Sequence, residues 1–184
     1  MRKYLITCNG RQLQQGDILR SILHLQYIED LEGDMVIHRI EYPRVVVLSQ
    51  ACDLQQDWNS RNRSNDDKEL FSILVSPLYN WEHFLDGEHL DHLGMSMVDY
   101  RSGSSTAKRI IMHNKNPRYH YLDKFPTHSG LPALIVDFKH FFSVDIGVAR
   151  GARPSHFICR LNKLYREHLS QRFSAFLSRI GLPS

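Results

Sequence analysis

Val45-Val46-Val47-Leu48-Ser49-Gln50-Ala51-Cys52-Asp53-Leu54 is the stretch on which the reading of this chain turns. Four consecutive apolar residues, three of them β-branched, predict a strand buried on both faces. The run then breaks into Ser49, Gln50, Cys52 and Asp53, a polar group at the exit of a rigid element. Such a position suits chemistry, because the strand fixes geometry while the following loop leaves room for a ligand. Pro43 and Arg44 stand just before the strand.

Working outward, Gly16-Asp17 is a turn signal before Ile18–Leu23, and Glu32-Gly33-Asp34 is a second before Met35–Ile40. Residues 55–68 are almost wholly polar and read as an exposed loop, and Phe71–Val75 reads as a further strand closed by Pro77. Tyr79, Trp81, Phe84, Leu85, Leu90 and Leu93 predict a helical insertion over about 79–94, broken at Gly87. Arg101–Thr106 reads as a turn, Arg109–Met112, Tyr119–Leu122 and Leu134–Phe138 as strands, and Gly147–Pro154 as a loop. Leu161, Tyr165, Leu169, Phe173, Phe176 and Ile180 recur at helical spacing, with Lys163, Arg166, Arg172 and Arg179 on the other face, so 161–180 is the terminal helix, stopped by Gly181 and Pro183. The expected architecture is α+β: a single domain over 1–184 forming a small, partly open antiparallel barrel, with strands at about 16–76 and 109–159, capped by the terminal helix.

With 184 residues, 42% of them hydrophobic, the chain is long enough to bury a core. After Met1-Arg2-Lys3 the apolar run is too short for a secretion signal, and no stretch approaches the roughly 20 apolar residues that span a bilayer. Cys8, Cys52 and Cys159 are odd in number, far apart and without a CxxC pair, which argues against a disulfide scaffold or zinc ribbon and for a cytoplasmic setting. The net charge of +3 is unevenly spread. Residues 1–52 are neutral, 53–100 hold ten acidic against three basic side chains, and 101–184 hold fourteen basic against four acidic. A basic C-terminal half suits phosphates or an acidic partner; the competing reading is that the acidic middle neutralises it, within one chain or across a homodimer.

Three features resemble the PemK/MazF family of bacterial toxins, sequence-specific ribonucleases on an SH3-like barrel: Gly16-Asp17-Ile18-Leu19, Pro43-Arg44-Val45-Val46-Val47-Leu48-Ser49, and the later strand and terminal helix at Phe71–Val75 and Leu161–Ile180. The resemblance implies an SH3-like barrel and an RNA-cleaving activity. Two departures stand beside it. The family places Arg before Pro where this chain has Pro43 before Arg44, and the Ser49-Gln50-Ala51-Cys52-Asp53-Leu54 continuation is instead similar to uncharacterised bacterial proteins of mobile-element or phage-defence gene clusters.

For RNA cleavage the candidates are Arg44 as the cation on the phosphorane and Asp53 or His38 as proton carrier, with Ser49, Gln50 and Cys52 holding the nucleotide. The alternative is that Ser49, Gln50 and Asp53 bond the turn leaving the strand, and that Cys52 is an inert packed thiol. Residues 108–121 interleave Arg109, Lys115 and Arg118 with Tyr119, His120 and Tyr121, the pattern of single-stranded RNA contact; only one side of the alternation at 119–121 is free to face a ligand. His83, His89 and His92 lie among carboxylates, but no HExxH pattern accompanies them, and neither metal nor cofactor is expected. The functional expectation is a toxin-like RNA-binding or RNA-cleaving protein; the alternative is a non-catalytic component that binds a protein or nucleotide.

Overall fold

The computed structural model describes the backbone of residues 5–6 and, in full, residues 12–61, 66–124 and 130–179. The fold is mixed α+β, and the chain divides into two compact units, each drawn from separate stretches of sequence. The ribbon unit comprises Thr7–Pro77 and Phe142–Arg160; the pocket unit comprises Met1–Ile6, Leu78–Phe141 and Leu161–Ser184.

In the ribbon unit the run Val45–Val47 ends a long strand, and all three residues are buried, as a continuous β-branched run requires. After the two-residue β1 (Leu5–Ile6), β2 (Asp17–Leu31) and β3 (Asp34–Val47) form a hairpin in which the two predicted strands merge with their neighbours. Its turn is Glu32-Gly33, both at positive φ (55° and 100°), and Asp30 accepts the Gly33 amide at 2.8 Å. Two left-handed residues match the twist of the flanking strands, which is why the glycine is needed there. A bulge at Gln26 shifts the register once.

The ladder continues antiparallel through β4 (Ser72–Asn80) and β7 (Phe142–Asp145), while β8 (Phe157–Leu161) lies on the far side of β2. Among the described residues β7 and β8 do not pair with each other, so the sheet stays open rather than closing into a barrel. Asp17, at the start of β2, is fully buried and accepts from Arg160 Nε at 2.5 Å, Arg153 Nε at 3.2 Å and the Gln14 amide at 3.1 Å. A buried carboxylate is tolerable only with such partners. α1 (Ala51–Ser60) and α4 (Ile146–His156) replace the loops expected at 55–68 and 147–154. The cause in α1 is polar burial that hydropathy does not register: Asp57 is buried and holds Arg61, Arg150 and the Leu70 amide. In α4 it is the cap at Asp145, which accepts the Val148 amide at 3.0 Å.

In the pocket unit, α2 (Trp81–Leu85) and a 3-10 turn at Asp91–Leu93 occupy the expected insertion. Gly87 (φ 75°) separates them, and a Cβ there would stand 2.8 Å from the Met97 carbonyl. Trp81, Phe84, Leu85 and Leu90 pack with Tyr79, Ile111, Tyr119 and Ile135 as one core cluster. α3 (Ser105–Met112) stands where Arg109–Met112 reads as a strand: Ser104 caps it through the Thr106 amide, and the Ile110-Ile111 pair is β-branched only in composition. β5 (Tyr119–Leu122) pairs with β6 (Leu134–Asp137), and β6 with the Leu78–Asn80 end of β4. α5 (Lys163–Leu177) starts at Asn162, which accepts the Tyr165 amide; Leu161 belongs to β8, while Ile180, Gly181 and Pro183 lie outside the described residues.

Candidate nucleic-acid site

At the polar strand end the expected site residues take local partners. Ser49 Oγ accepts the Leu74 amide at 2.7 Å, a backbone-holding role. Gln50 precedes α1 without a side-chain cap bond, and the exposed Cys52 thiol donates to Asp53 at 3.3 Å and to Gln50 at 3.6 Å. Cys52 is therefore surface-accessible rather than packed. His38 lies along the hairpin, stacked on Tyr27 at 4.1 Å and paired with Glu29 at 3.2 Å. At about 3.3 Å of rise per residue, Arg44 stands roughly 20 Å along β3 from His38 and up to about 16 Å from Ser49. His38 therefore stands apart from Arg44 along the hairpin.

One cation was missed. Arg20 is the direct cross-strand partner of Arg44, and among the described residues neither is paired with a carboxylate. Two like charges in register repel. Counting back from the Glu32-Gly33 turn alone would set Arg20 against Val45; the bulge at Gln26 shifts the register by one to Arg44, so the sequence did not reveal the pair.

The basic segment of the pocket unit is more organised. Arg172 on α5 donates to the carbonyls of Asn114, Asn116 (2.5 Å) and Tyr119 (2.7 Å), tying the 114–119 turn to the helix. Asn114, left-handed at φ 56°, clasps the Tyr121 backbone with both ends of its amide, at 2.6 and 3.0 Å. Sequence periodicity put Arg172 on the solvent face; three bonds to the backbone turn it inward.

β5, fixed in this way, separates its side chains by alternation. Tyr119 and Tyr121 turn toward the aromatic core, Tyr119 against Phe84 and Tyr121 against Trp81 at 4.8 Å. Tyr119 is buried, so it does not stack on a base. His120 takes the opposite side, 5.2 Å from the His168 ring on α5. Arg118 is committed to the buried Asp137, with Nε at 2.9 and 3.0 Å and Nη2 at 2.5 Å, which removes it from the phosphate-binding set. Arg109 and Lys115 are exposed.

His120 and His168 line a pocket of about 250 Å³ with Asn114, Tyr121, Asp123 and Tyr165, on a floor of Met112, Leu122 and Leu161. That volume is below the range for drug-sized ligands and suits a single flat ring. Burial, then the neighbouring His168 and Arg172, push His120 down to about 3; burial and Arg172 also lower His168. Both imidazoles are neutral at pH 7, and His120 Nδ1 is buried without a partner. The spacing of His120 and His168 carries no motif, so only the fold brings them together.

His83, His89 and His92 do not converge. His83 and His92 are exposed, whereas His89 is buried between Tyr79 (4.9 Å) and Phe84 (5.0 Å) with neither ring nitrogen bonded. Beside it, Asp137 contacts His140 Nε2 at 3.6 Å, and His140 Nδ1 is hydrogen-bonded to the Tyr79 hydroxyl at 2.9 Å. Among the described residues no cluster of three or more His, Cys, Asp or Glu side chains is arranged to hold a metal, and no helix is long and apolar enough to cross a membrane. No protein-family model matches the chain, and no curated protein matches it.

Proposed function

We propose that the chain is a toxin-like RNA-binding protein that acts in the cytoplasm and seats one base of a single strand in the His120–His168 pocket. The observation that carries this reading is the pocket itself: a cavity sized for one ring, lined by two imidazoles, Tyr165 and an asparagine, in the half of the chain that bears the positive charge. Flat rings stack bases, and exposed Arg109 and Lys115 supply phosphate contacts nearby in sequence.

The same pair supports cleavage. Attack by a 2′-hydroxyl on the adjacent phosphorus needs a neutral base to take its proton and an acid to return one to the leaving 5′-oxygen. Neutral His168, on the solvent side of the pair, is the base in this reading; once it holds the 2′-hydroxyl proton, its imidazolium is the acid that returns a proton to the leaving 5′-oxygen. The ribbon unit supports the SH3-like assignment by connectivity alone: β2, β3, β4 and β7 form an antiparallel meander, and β8 returns beside β2. Against catalysis, and in favour of a non-catalytic component of a defence or mobile-element system, stands the distance of His38 from Arg44 along β3.

Incubation with a mixed RNA pool, sequencing of cut ends, and a fluorescence titration at two salt concentrations decide among these. Binding that weakens with salt is expected from counterion release, with loss of cut ends in His168→Ala. Absence of binding at low salt overturns the RNA reading. Binding without cutting selects the non-catalytic alternative, and cutting unchanged by His168→Ala removes the pocket from the mechanism.

A further inference from the structure

Beyond Arg20 the hairpin runs on without a third strand. β8 pairs with β2 only at Asp17–Leu19, and β4 pairs with β3 only at Val45–Val47. Among the described residues the outer edge of β2 is therefore open from Arg20 to Leu31. Natural proteins blunt such an edge with lysine, proline, a bulge or a short strand. This edge holds neither lysine nor proline, and its irregularities are the left-handed Ser21 (φ 51°) at its start and the bulge at Gln26. It also carries Leu23, Leu25, Tyr27, Ile28 and Leu31, each about half exposed (Leu25 53%, Ile28 49%).

We infer that this edge is a dimer interface, in which β2 pairs antiparallel with β2 of a second copy about a two-fold axis near Leu25. The charge order along the strand names the occupant. Arg20 stands at one end and Glu29-Asp30 at the other. Antiparallel self-pairing lays Arg20 of each copy against the Glu29-Asp30 end of the other, at both ends of an apolar centre. It also gives the Arg20–Arg44 pair carboxylate partners, which it has none of among the described residues. The outer edge of β3 is not self-complementary in this way: aligning Asp34 with Arg44 sets Arg39 against its own copy, and Pro43 cannot donate to the new ladder. The interface is isologous, so it closes at two copies rather than growing a fibre.

The test is the solution mass of the full chain, by light scattering or sedimentation, across a concentration series. Wild type is expected at twice the 21.5 kDa chain mass. Leu25→Lys, at an exposed position, is expected to raise the dissociation constant at least tenfold. Arg20→Glu is expected to do the same while holding or raising the melting temperature of the monomer, because it turns a repulsive cross-strand pair with Arg44 into an attractive one. Adding Glu29→Arg and Asp30→Arg to Arg20→Glu restores the dimer. Leu25→Cys is expected to cross-link to itself under mild oxidation, since antiparallel partners sit about 4.5–5.5 Å apart, within disulfide reach. A wild-type monomer at every concentration overturns the inference. So does a dimer that survives both Leu25→Lys and Arg20→Glu without a Leu25→Cys cross-link; should Arg20→Glu fail to fold by circular dichroism, Leu25→Lys and the cross-link decide.

Discussion

His89→Phe is expected to make the protein less sensitive to acid. The His89 ring is buried between Tyr79 and Phe84, and neither nitrogen has a partner. Burial, with His140 adding repulsion, pushes it down to about 4; Asp137 and Asp91 pull the other way and do not prevail. Because the folded value lies below the unfolded one, the neutral ring's contribution is complete above the unfolded value of 6.5. It is lost as pH falls from there toward 4, where the folded ring finally takes its proton. At pH 5 the unfolded ring is almost fully charged and the folded ring almost fully neutral, which amounts to about 2 kcal/mol lost relative to pH 7.5. Phenylalanine keeps a flat ring and does not titrate. Its larger volume costs something, but the same amount at both pH values, and His24, His120 and His168 remain in both proteins and cancel in the difference. Urea unfolding at pH 7.5 and pH 5 measures it. The gap between the two proteins should widen in favour of the variant by about 2 kcal/mol on going to pH 5. Equal acid losses would refute the reasoning, since the imidazole would then be hydrated or bonded in the native state.

Asp57→Ala is expected to lower stability by about 3–5 kcal/mol, because it strands Arg61 and Arg150 and leaves the Leu70 amide unmet; chemical denaturation reads it. In the native state burial alone would raise the Asp57 carboxyl, but bonds from Arg150, Leu70 and Arg61 outweigh burial and hold it below the ordinary range. Cys52 should react with a thiol reagent in the folded protein while Cys159 stays protected, since Cys52 is exposed and burial and Asp17 push the Cys159 thiol up to about 12; mass mapping of labelled peptides distinguishes them. Lys115→Ala should weaken RNA binding uniformly across sequences and reduce the salt slope by about one, whereas Arg118→Ala should first show as lost stability, because its guanidinium serves Asp137.

The parts of the fold legible in sequence are those governed by apolar pattern and turn chemistry. The buried run Val45–Val47, the Glu32-Gly33 hairpin turn, the Phe71–Val75 strand and the apolar stripe of α5 all follow from period and glycine placement. The parts that were not legible are held by polar groups. α1 reads as a loop because its anchor is Asp57, α4 because its start is the Asp145 cap, and α5 hides Arg172 on what periodicity calls its wet face. The division into two units was also hidden: the strands expected at 16–76 fall in the ribbon unit, but those expected at 109–159 are split between the two. At the site, alternation across Tyr119, His120 and Tyr121 was readable, but not its sign, and His168 gave no signal because a histidine on a basic helix face looks like solvent decoration.

Asp17 sets the order in which the protein is finished as it is made. Its arginines follow 136 and 143 residues later in the chain, so a growing polypeptide exposes this carboxylate long before either counter-charge exists. At roughly 5–20 residues per second, synthesis leaves it unpaired for about 7–30 s. During that interval the β2–β3 hairpin, whose partners are local, is free to form, with its apolar edge open to other nascent chains on the same messenger. Docking of Arg153 and Arg160 is then the late step that commits the start of β2.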